Sequence, residues 1–307
     1  MLESTFRSNH DGLDISYARC SVNNARAVLV IVHGMAEHKE RYYHFMEFLA
    51  MHGIASFIED HRGHGKSIRS AADLGYFGEN GADGLLGDIK QLVDMARAEY
   101  PDVPLYMLGH SMGALAVRTF IQQHGDMLDG LIVSGNPGFT GAAKMGVDMA
   151  RRVQRKKGPH ARCRLLTLGM FAPFILGSRR FYSVNGWVCS DREVVRAYDA
   201  DPLCGFEFQA NGYEALLTLM LRSYDTNAPA PNKKLPVAFV SGANDACMGG
   251  KKGLEHAVGL LKAQGYNSVS SMIMDDMSHE ILNEKDKQTV YDLMLQYLNK
   301  WIAIPRS

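Results

Sequence analysis

The chain has 307 residues, enough for one large domain or for a core domain that carries a substantial insertion. Lysine plus arginine equal aspartate plus glutamate at 33 each, so the overall charge does not indicate a nucleic-acid binder, and we expect no nucleic-acid partner. The five cysteines are scattered and none forms a C-x-x-C pair, which predicts reduced thiols rather than a zinc or redox site.

The N-terminal sequence MLESTFRSNHDGLD lacks a charged start followed by an apolar run, so it does not resemble a signal peptide. No apolar stretch approaches the length needed to span a bilayer. Together with the reduced thiols, these observations predict a cytoplasmic protein.

Apolar strands alternate with helices over the first part of the chain. Ala27–Val32 (AVLVIV) is a continuous β-branched run, typical of a strand that is buried on both faces. The pattern then predicts a helix over 41–51, a strand over 54–58, a helix over 85–96, a strand over 105–108, a helix over 112–123 and a strand over 129–134. This alternation predicts βαβ units and a parallel sheet, with ligand chemistry at the carboxyl ends of the strands.

The alternation stops near Asn136 and resumes only with a strand over 235–241. A helix over Gly250–Gln264, a strand over 269–274 and a final helix over 286–302 follow. The stretch between, 139–231, has helical patches but no clear buried strand. We therefore predict an α/β core formed by residues 1–138 and 232–307, with residues 139–231 inserted as a helical cap (lid).

Residues 109–113 (GHSMG) match the pattern G-x-S-x-G between a predicted strand and a predicted helix. In that position a tight turn presents the hydroxyl of Ser111 at the edge of the sheet, and the flanking glycines avoid collisions with neighbouring backbone. The alternative is an ordinary helix N-cap serine, but an N-cap does not require the glycines. Ser111 is therefore the candidate nucleophile.

A serine hydroxyl needs a base to take its proton, and on this type of sheet the acid and then the histidine follow the serine along the chain. Asp245 follows the strand predicted over 235–241, and His279 follows the strand predicted over 269–274. A simple turn aspartate is the competing interpretation for position 245, and Asp275 and Asp276 are alternative acids. The backbone N–H groups of Met35 and Met112 are the candidate oxyanion donors.

Four segments resemble one known family in combination: 33–38 (HGMAEH), 60–67 (DHRGHGKS), 109–113 (GHSMG) and 279–284 (HEILNE). They resemble the monoacylglycerol lipase and lysophospholipase branch of the α/β-hydrolases, which is sometimes grouped with serine aminopeptidases. The resemblance runs from about residue 25 to the C-terminus. It implies the α/β-hydrolase fold, a mostly parallel central sheet flanked by helices, with a helical cap insertion. It also implies a catalytic Ser111, Asp245 and His279 and oxyanion donors at Met35 and Met112.

These features predict a serine hydrolase that cleaves carboxylic esters through an acyl-enzyme, with no cofactor and no metal. The expected partner is a small-molecule acyl ester, and the resemblance favours a monoacylglycerol or a lysophospholipid. A peptidase or amidase on the same residues is the first rival, and a non-catalytic ligand sensor of the same fold is the second. For Arg62 and His64 we predict a structural role in a turn, with direct substrate contact as the alternative.

The predicted cap contains an apolar stretch, residues 165–177 (LLTLGMFAPFILG), preceded by a basic run over 151–157. One interpretation is that its apolar side chains pack the cap onto the core, while the basic run is a solvated face; these side chains are Leu165, Leu166, Leu168, Phe171, Phe174 and Ile175. In the other interpretation, the stretch lines a tunnel for the acyl chain, and the basic residues favour transient contact with lipid interfaces.

Overall fold

The computed structural model describes residues 1–304 and contains one eight-stranded sheet. Strands β3 to β8 pair in parallel, whereas β1 and β2 add antiparallel strands at one edge, in the order β1-β2-β4-β3-β5-β6-β7-β8. The strands are β1 Leu2–Arg7, β2 Asp14–Cys20, β3 Ala27–Val32, β4 Ile54–Glu59, β5 Leu105–His110, β6 Gly130–Ser134, β7 Pro236–Gly242 and β8 Ser268–Met274.

Helices cover both faces of the sheet, α1 and α9 on one face and α2, α3 and α8 on the other. The predicted α/β class with a mostly parallel sheet is therefore confirmed. The helices are α1 Tyr43–Met51, α2 Gly81–Glu99, α3 Met112–His124, α4 Ala143–Lys157, α5 Arg164–Ser178, α6 Arg192–Ala200, α7 Ala210–Ser223, α8 Gly250–Gln264 and α9 Lys287–Ile302.

Burial on both faces explains why the sequence of strand β3 is apolar without interruption. Val28, Val30 and Val32 belong to the core on one face of the sheet, whereas the alternate residues Leu29 and Ile31 belong to the core on the other. Because successive side chains of a strand point to opposite faces, a strand covered on both sides requires apolar residues at every position.

Strands β1 and β2 are the elements that the sequence pattern did not predict. In β1, the edge strand, only Phe6 is buried, so the strand has no apolar run. Strand β2 lies between β1 and β4, but the polar Ser16 interrupts its buried residues. Two predicted helices also differ in extent. The helix predicted from residue 41 begins at Tyr43, after a 3-10 turn at Lys39–Tyr42, and the helix predicted over 85–96 is longer at both ends.

Helices α4 to α7 lie between β6 and β7, and residues 139–231 contain no strand. Helix α7 packs against α2 and α3 of the core, and α4 packs on α7. The segment predicted as a cap therefore includes one helix that lies directly on the core. The division of the chain into a core and a cap stays a prediction.

Helix α5 carries the apolar stretch and has no fully buried side chain. Leu165 and Leu168 are each 65% exposed, so the interpretation that they pack the cap onto the core is wrong for these two residues. Leu166 and Phe171 are half-buried against the main core, as that interpretation expected.

Within residues 1–304, no helix combines the length and the apolar character that crossing a bilayer requires.

Arg62 and His64 of the segment 60–67 make internal contacts. The buried guanidinium of Arg62 donates to Asp88 of α2 at 2.7 Å, and to Asp11 at 3.0 Å and Ser8 at 3.1 Å in the connection between β1 and β2. The Nδ1 atom of His64 lies 3.1 Å from the carbonyl oxygen of Arg62. These contacts give Arg62 a structural role that ties the N-terminal strands to α2.

Replacing Arg62 with methionine should lower the free energy of unfolding by about 3 to 5 kcal/mol, because Asp88 would stay buried without the cation that pairs with it. The matched control is Arg69→Met, which removes an exposed arginine of the same loop and should change stability by about 0.5 kcal/mol or less. Urea denaturation followed by circular dichroism measures both. Equal stability of the two variants would contradict the structural role.

Candidate active site

Ser111 lies at the turn between β5 and α3, and its backbone is strained, with φ 56° and ψ −117°. The turn depends on the two flanking glycines. A Cβ on Gly113 would lie 2.1 Å from the carbonyl oxygen of Val32, and a Cβ on Gly109 would lie 2.4 Å from the carbonyl oxygen of Gly113. No larger residue fits at either position without moving backbone, so helix α3 can approach the sheet this closely only with glycine.

Asp245 and His279 lie in the loops that follow β7 and β8, and the structure brings both to Ser111. The Nε2 atom of His279 lies 2.8 Å from the hydroxyl oxygen of Ser111, and its Nδ1 atom lies 3.0 Å from each carboxylate oxygen of Asp245. The alternative acids Asp275 and Asp276 are exposed. Asp245 also accepts the backbone N–H of Cys247 at 2.8 Å, which fixes the orientation of its carboxylate.

The surroundings of His279 favour its charged form. Burial lowers the pKa of this imidazole, but the charge and hydrogen bonds of Asp245, together with the charges of Glu280 and Glu37, outweigh burial, so the pKa lies above the ordinary 6.5. His110 lies beside it, with the two rings 4.7 Å apart. Burial and the neighbouring His279 lower the pKa of His110 to about 3, so His110 is neutral in the physiological range.

The loop after β3 carries Met35, and helix α3 begins with Met112. Neither backbone N–H donates a hydrogen bond to any residue that the structure describes, and their role as oxyanion donors stays a prediction. Glu37 holds the Met35 loop in place, because its carboxylate accepts the backbone N–H of Gly34 and the hydroxyl of Tyr42. These two hydrogen bonds fix the backbone next to Met35.

A buried ion cluster, which the sequence analysis did not identify, lies behind this loop. The guanidinium of Arg41 donates to Glu37 at 2.8 Å and to both carboxylate oxygens of Glu280. Burial raises the pKa of Glu280, but Arg41 outweighs burial and holds that pKa below its ordinary value. The ring of Tyr198 in α6 lies under the same guanidinium, at 4.8 Å. Glu37 and Glu280 both lie in the recognised motifs, but their pairing through Arg41 is a tertiary contact.

An aromatic wall of Trp187, Phe174 and Phe171 leads from helix α5 to His279. The ring centroid of Trp187 lies 4.9 Å from that of His279, and the rings of Phe174 and Phe171 lie 5.1 Å and 6.3 Å from Trp187. Trp187 is buried, whereas both phenylalanines are half-buried. Phe171 and Phe174 thus connect the apolar stretch of α5 with the site. The sequence pattern singled out both phenylalanines but gave no signal for Trp187.

A family model described as serine aminopeptidase, S33, matches residues 23–286. The chain belongs to this family. The monoacylglycerol lipase of Mycolicibacterium smegmatis is 27% identical over 271 residues, which cover 87% of this chain and 86% of that protein. The monoglyceride lipase of Mus musculus is 24% identical over 284 residues, which cover 91% of this chain and 82% of that protein. These matches confirm the predicted family.

Solved structures agree with this assignment at the level of the fold. A highly thermostable carboxyl esterase from Bacillus coagulans, in complex with glycerol, superposes with a TM-score of 0.90 at 24% identity and covers 98% of this chain and 99% of its own. A soluble variant of the monoglyceride lipase from Saccharomyces cerevisiae, in complex with a substrate analog, superposes with a TM-score of 0.77 at 20% identity. It covers 98% of this chain and 96% of its own. The α/β-hydrolase fold is therefore confirmed.

Nuclear magnetic resonance of the histidine side chains tests the electrostatics of this site. We expect the imidazole of His279 to titrate with a pKa above 6.5, and the Asp245→Asn variant to lower that pKa, because burial then acts without the carboxylate that opposes it most. The resonance is assigned by its absence in His279→Gln. His110, with a pKa of about 3, serves as the internal control and should not titrate between about pH 5 and pH 8. An unchanged His279 pKa in Asp245→Asn would contradict the assigned pair.

Proposed function

We propose that the protein is a carboxylic ester hydrolase that acts by two-step acyl transfer, with Ser111 as nucleophile, His279 as base and Asp245 as the orienting acid. The observation that carries the proposal is the continuous hydrogen-bonded chain from the hydroxyl of Ser111 through both ring nitrogens of His279 to the carboxylate of Asp245. Such a chain supplies what a serine hydroxyl lacks, a base held in the correct tautomer and orientation.

In the first step Ser111 attacks the ester carbonyl while Nε2 of His279 takes the hydroxyl proton. Asp245 stabilises the imidazolium that forms, and the backbone N–H groups of Met35 and Met112 bind the oxyanion of the tetrahedral intermediate. His279 then protonates the departing alcohol, which leaves the acyl group on Ser111. No group other than those of the chain and the substrate takes part.

In the second step His279 removes a proton from water, the resulting hydroxide attacks the acyl-enzyme, and the proton returns to Ser111 as the acid leaves. Because His279 must be unprotonated to act as the base, kcat/KM should rise with pH through the pKa of this residue. That pKa lies above the ordinary 6.5, which moves the rising limb of the pH profile to higher pH than a free histidine would give.

We further propose that the substrate is a monoacylglycerol or a lysophospholipid with a long acyl chain. Relatives named monoacylglycerol lipase and monoglyceride lipase support this substrate class. The aromatic wall supports it physically, since Phe171 and Phe174 offer apolar surface that leads toward His279. Each methylene group buried along such a path contributes about 0.8 kcal/mol, so preference should rise with chain length until the path is filled.

The exposed side of α5 supports transient contact with lipid interfaces through the proposed cap, residues 139–231. Leu165, Leu168 and Leu176 are each about two-thirds exposed, and Phe181 just beyond the helix is 68% exposed. Arg162, Arg164 and Arg179 flank this surface and are exposed, so it combines apolar side chains with positive charge, as interfacial segments do.

All five cysteines are free, which supports the proposal that the protein works in the cytoplasm.

Ser111→Ala should reduce kcat for nitrophenyl esters by about 10⁴-fold or more, because the acyl-enzyme can no longer form. Circular dichroism checks that the variant is folded. Retention of substantial esterase activity by the folded variant would exclude Ser111 as nucleophile.

The family description as serine aminopeptidase favours a peptidase as the second candidate, and turnover of matched esters and anilides by the wild type separates the two. We expect esters to be preferred.

Phe174→Asp and Leu168→Asp form a matched pair on helix α5. Phe174 faces Trp187, so aspartate there should reduce hydrolysis of long-chain esters far more than hydrolysis of acetate esters. Leu168 is exposed, so aspartate there should leave the hydrolysis of soluble short esters unchanged and reduce only the hydrolysis of long-chain substrate presented in vesicles. Rates with acetate and with long-chain esters, in micelles and in anionic vesicles, measure both effects.

Equal loss of long-chain and short-chain activity in Phe174→Asp would contradict the acyl path and leave α5 with a structural role. Unchanged vesicle activity in Leu168→Asp would contradict the interfacial role of the exposed leucines. The two outcomes are independent, because one variant changes the half-buried side of the helix and the other its exposed side.

A further inference from the structure

His38, Asp201 and Cys204 bring three different ligand types together beside the loop that follows β3. The Nε2 atom of His38 lies 2.9 Å from a carboxylate oxygen of Asp201, and the three donor atoms all lie within 4.8 Å of one another. Among residues 1–304 this is the one cluster of three such side chains that could hold a metal ion, and it contains none of the three residues of the proposed catalytic chain.

We infer that this cluster is a regulatory site for a thiophilic divalent cation, with Zn²⁺ as the best chemical match. An imidazole nitrogen, a thiolate and a carboxylate are ligands that tetrahedral zinc accepts, at bond lengths of about 2.0 to 2.3 Å. Such bonds hold ligand atoms about 3.3 to 3.8 Å apart, so the cluster closes on a cation by movements of about 1 Å. The side chain of Asp201 is 33% exposed, which gives water access to the fourth position.

The charges around the cluster favour a cation. Burial raises the pKa of the Cys204 thiol, and the negative charges of Glu37, Asp201 and Glu280 raise it further against the positive charge of Arg41, so the thiol keeps its proton until a cation binds. When Zn²⁺ binds, the proton of the Cys204 thiol passes to solvent, and bonds to the metal replace the hydrogen bond between the imidazole and the carboxylate. The soft thiolate selects zinc over magnesium or calcium, which prefer sites made only of oxygen ligands.

The cation would join two segments that already meet. His38 follows the loop that carries the proposed oxyanion donor, whereas Asp201 and Cys204 follow helix α6 of the proposed cap. The hydroxyl of Tyr198 in α6 donates to the carbonyl oxygen of Ala36 in that loop, at 2.8 Å. A metal bridge would add a strong link to this contact and hold the cap against the loop, so bound zinc should raise Tm and restrain movement of the cap.

Titration of the purified full chain with Co²⁺ tests the site directly, since a thiolate ligand gives a charge-transfer band in the near ultraviolet. We expect the band to saturate at one equivalent of Co²⁺ and to disappear when Zn²⁺ displaces the cobalt. Cys204→Ser should abolish the band and the rise in Tm with Zn²⁺. Cys20→Ser, which changes the half-buried cysteine at the end of β2, should retain both.

Competition with a chromophoric chelator measures the affinity for Zn²⁺ and includes the other two ligands. His38→Gln and Asp201→Asn should each weaken binding by about tenfold or more, whereas His10→Gln, at an exposed histidine, should leave it unchanged. Absence of a thiolate band in the folded wild type, or its persistence in Cys204→Ser, would overturn the proposal. So would binding that is lost only in His279→Gln, which would locate the cation at the proposed catalytic base. None of these readouts uses ester hydrolysis, so their failure is distinct from failure of the proposed function.

Discussion

The close approach of helix α3 to strand β3 at Gly113 determines where Ser111 lies. The carbonyl oxygen of Val32 occupies the space that any Cβ at residue 113 would need, so only glycine permits this packing. The turn that results holds Ser111 at a positive φ, and its hydroxyl lies 2.8 Å from His279. Backbone strain at this residue costs about 1 to 3 kcal/mol, and packing of the buried strand and helix on either side holds it in place.

The charges around His279 determine which form of its imidazole is favoured. The imidazole of His279 is buried, which alone would favour its neutral form, but Asp245 shifts the balance toward the charged form, which the proposed proton transfer from Ser111 would produce. Arg41 pairs with both Glu37 and Glu280, so the carboxylates near the site are partly compensated. Removing one partner from such a buried set would leave an uncompensated charge, which costs more free energy than the intact pair contributes.

Much of the fold could be predicted because the parallel strands are buried on both faces. Strand β3 shows an unbroken apolar run for this reason, and the loops after β7 and β8 then locate Asp245 and His279. Strand β1 was not predicted because it lies at the edge of the sheet and exposes nearly all its side chains. Strand β2 was not predicted because the polar Ser16 interrupts its buried residues, so its sequence has no continuous apolar run.

The remaining parts of the site depend on contacts between residues that are distant in sequence. Arg41 and Glu280 are 239 residues apart, and nothing local to either residue specifies the other. Trp187 lies in the irregular segment after α5, where no periodicity marks it, yet it contacts His279. The apolar stretch of α5 was visible in the sequence, but the pattern alone did not distinguish its exposed leucines from its half-buried phenylalanines. Apolar residues occur on all sides of this helix, so no polar face marks the side that is turned to solvent.

Reaction with a fluorophosphonate, followed by intact mass measurement and peptide mapping, tests the central claim most directly, because such reagents react with activated serine nucleophiles. The account predicts one phosphonyl group per chain, attached to Ser111, with esterase activity lost in proportion to the modified fraction, and no modification of a folded His279→Gln variant. A phosphonyl group on another residue that abolishes activity, or full esterase activity in a chain modified at Ser111, would contradict it.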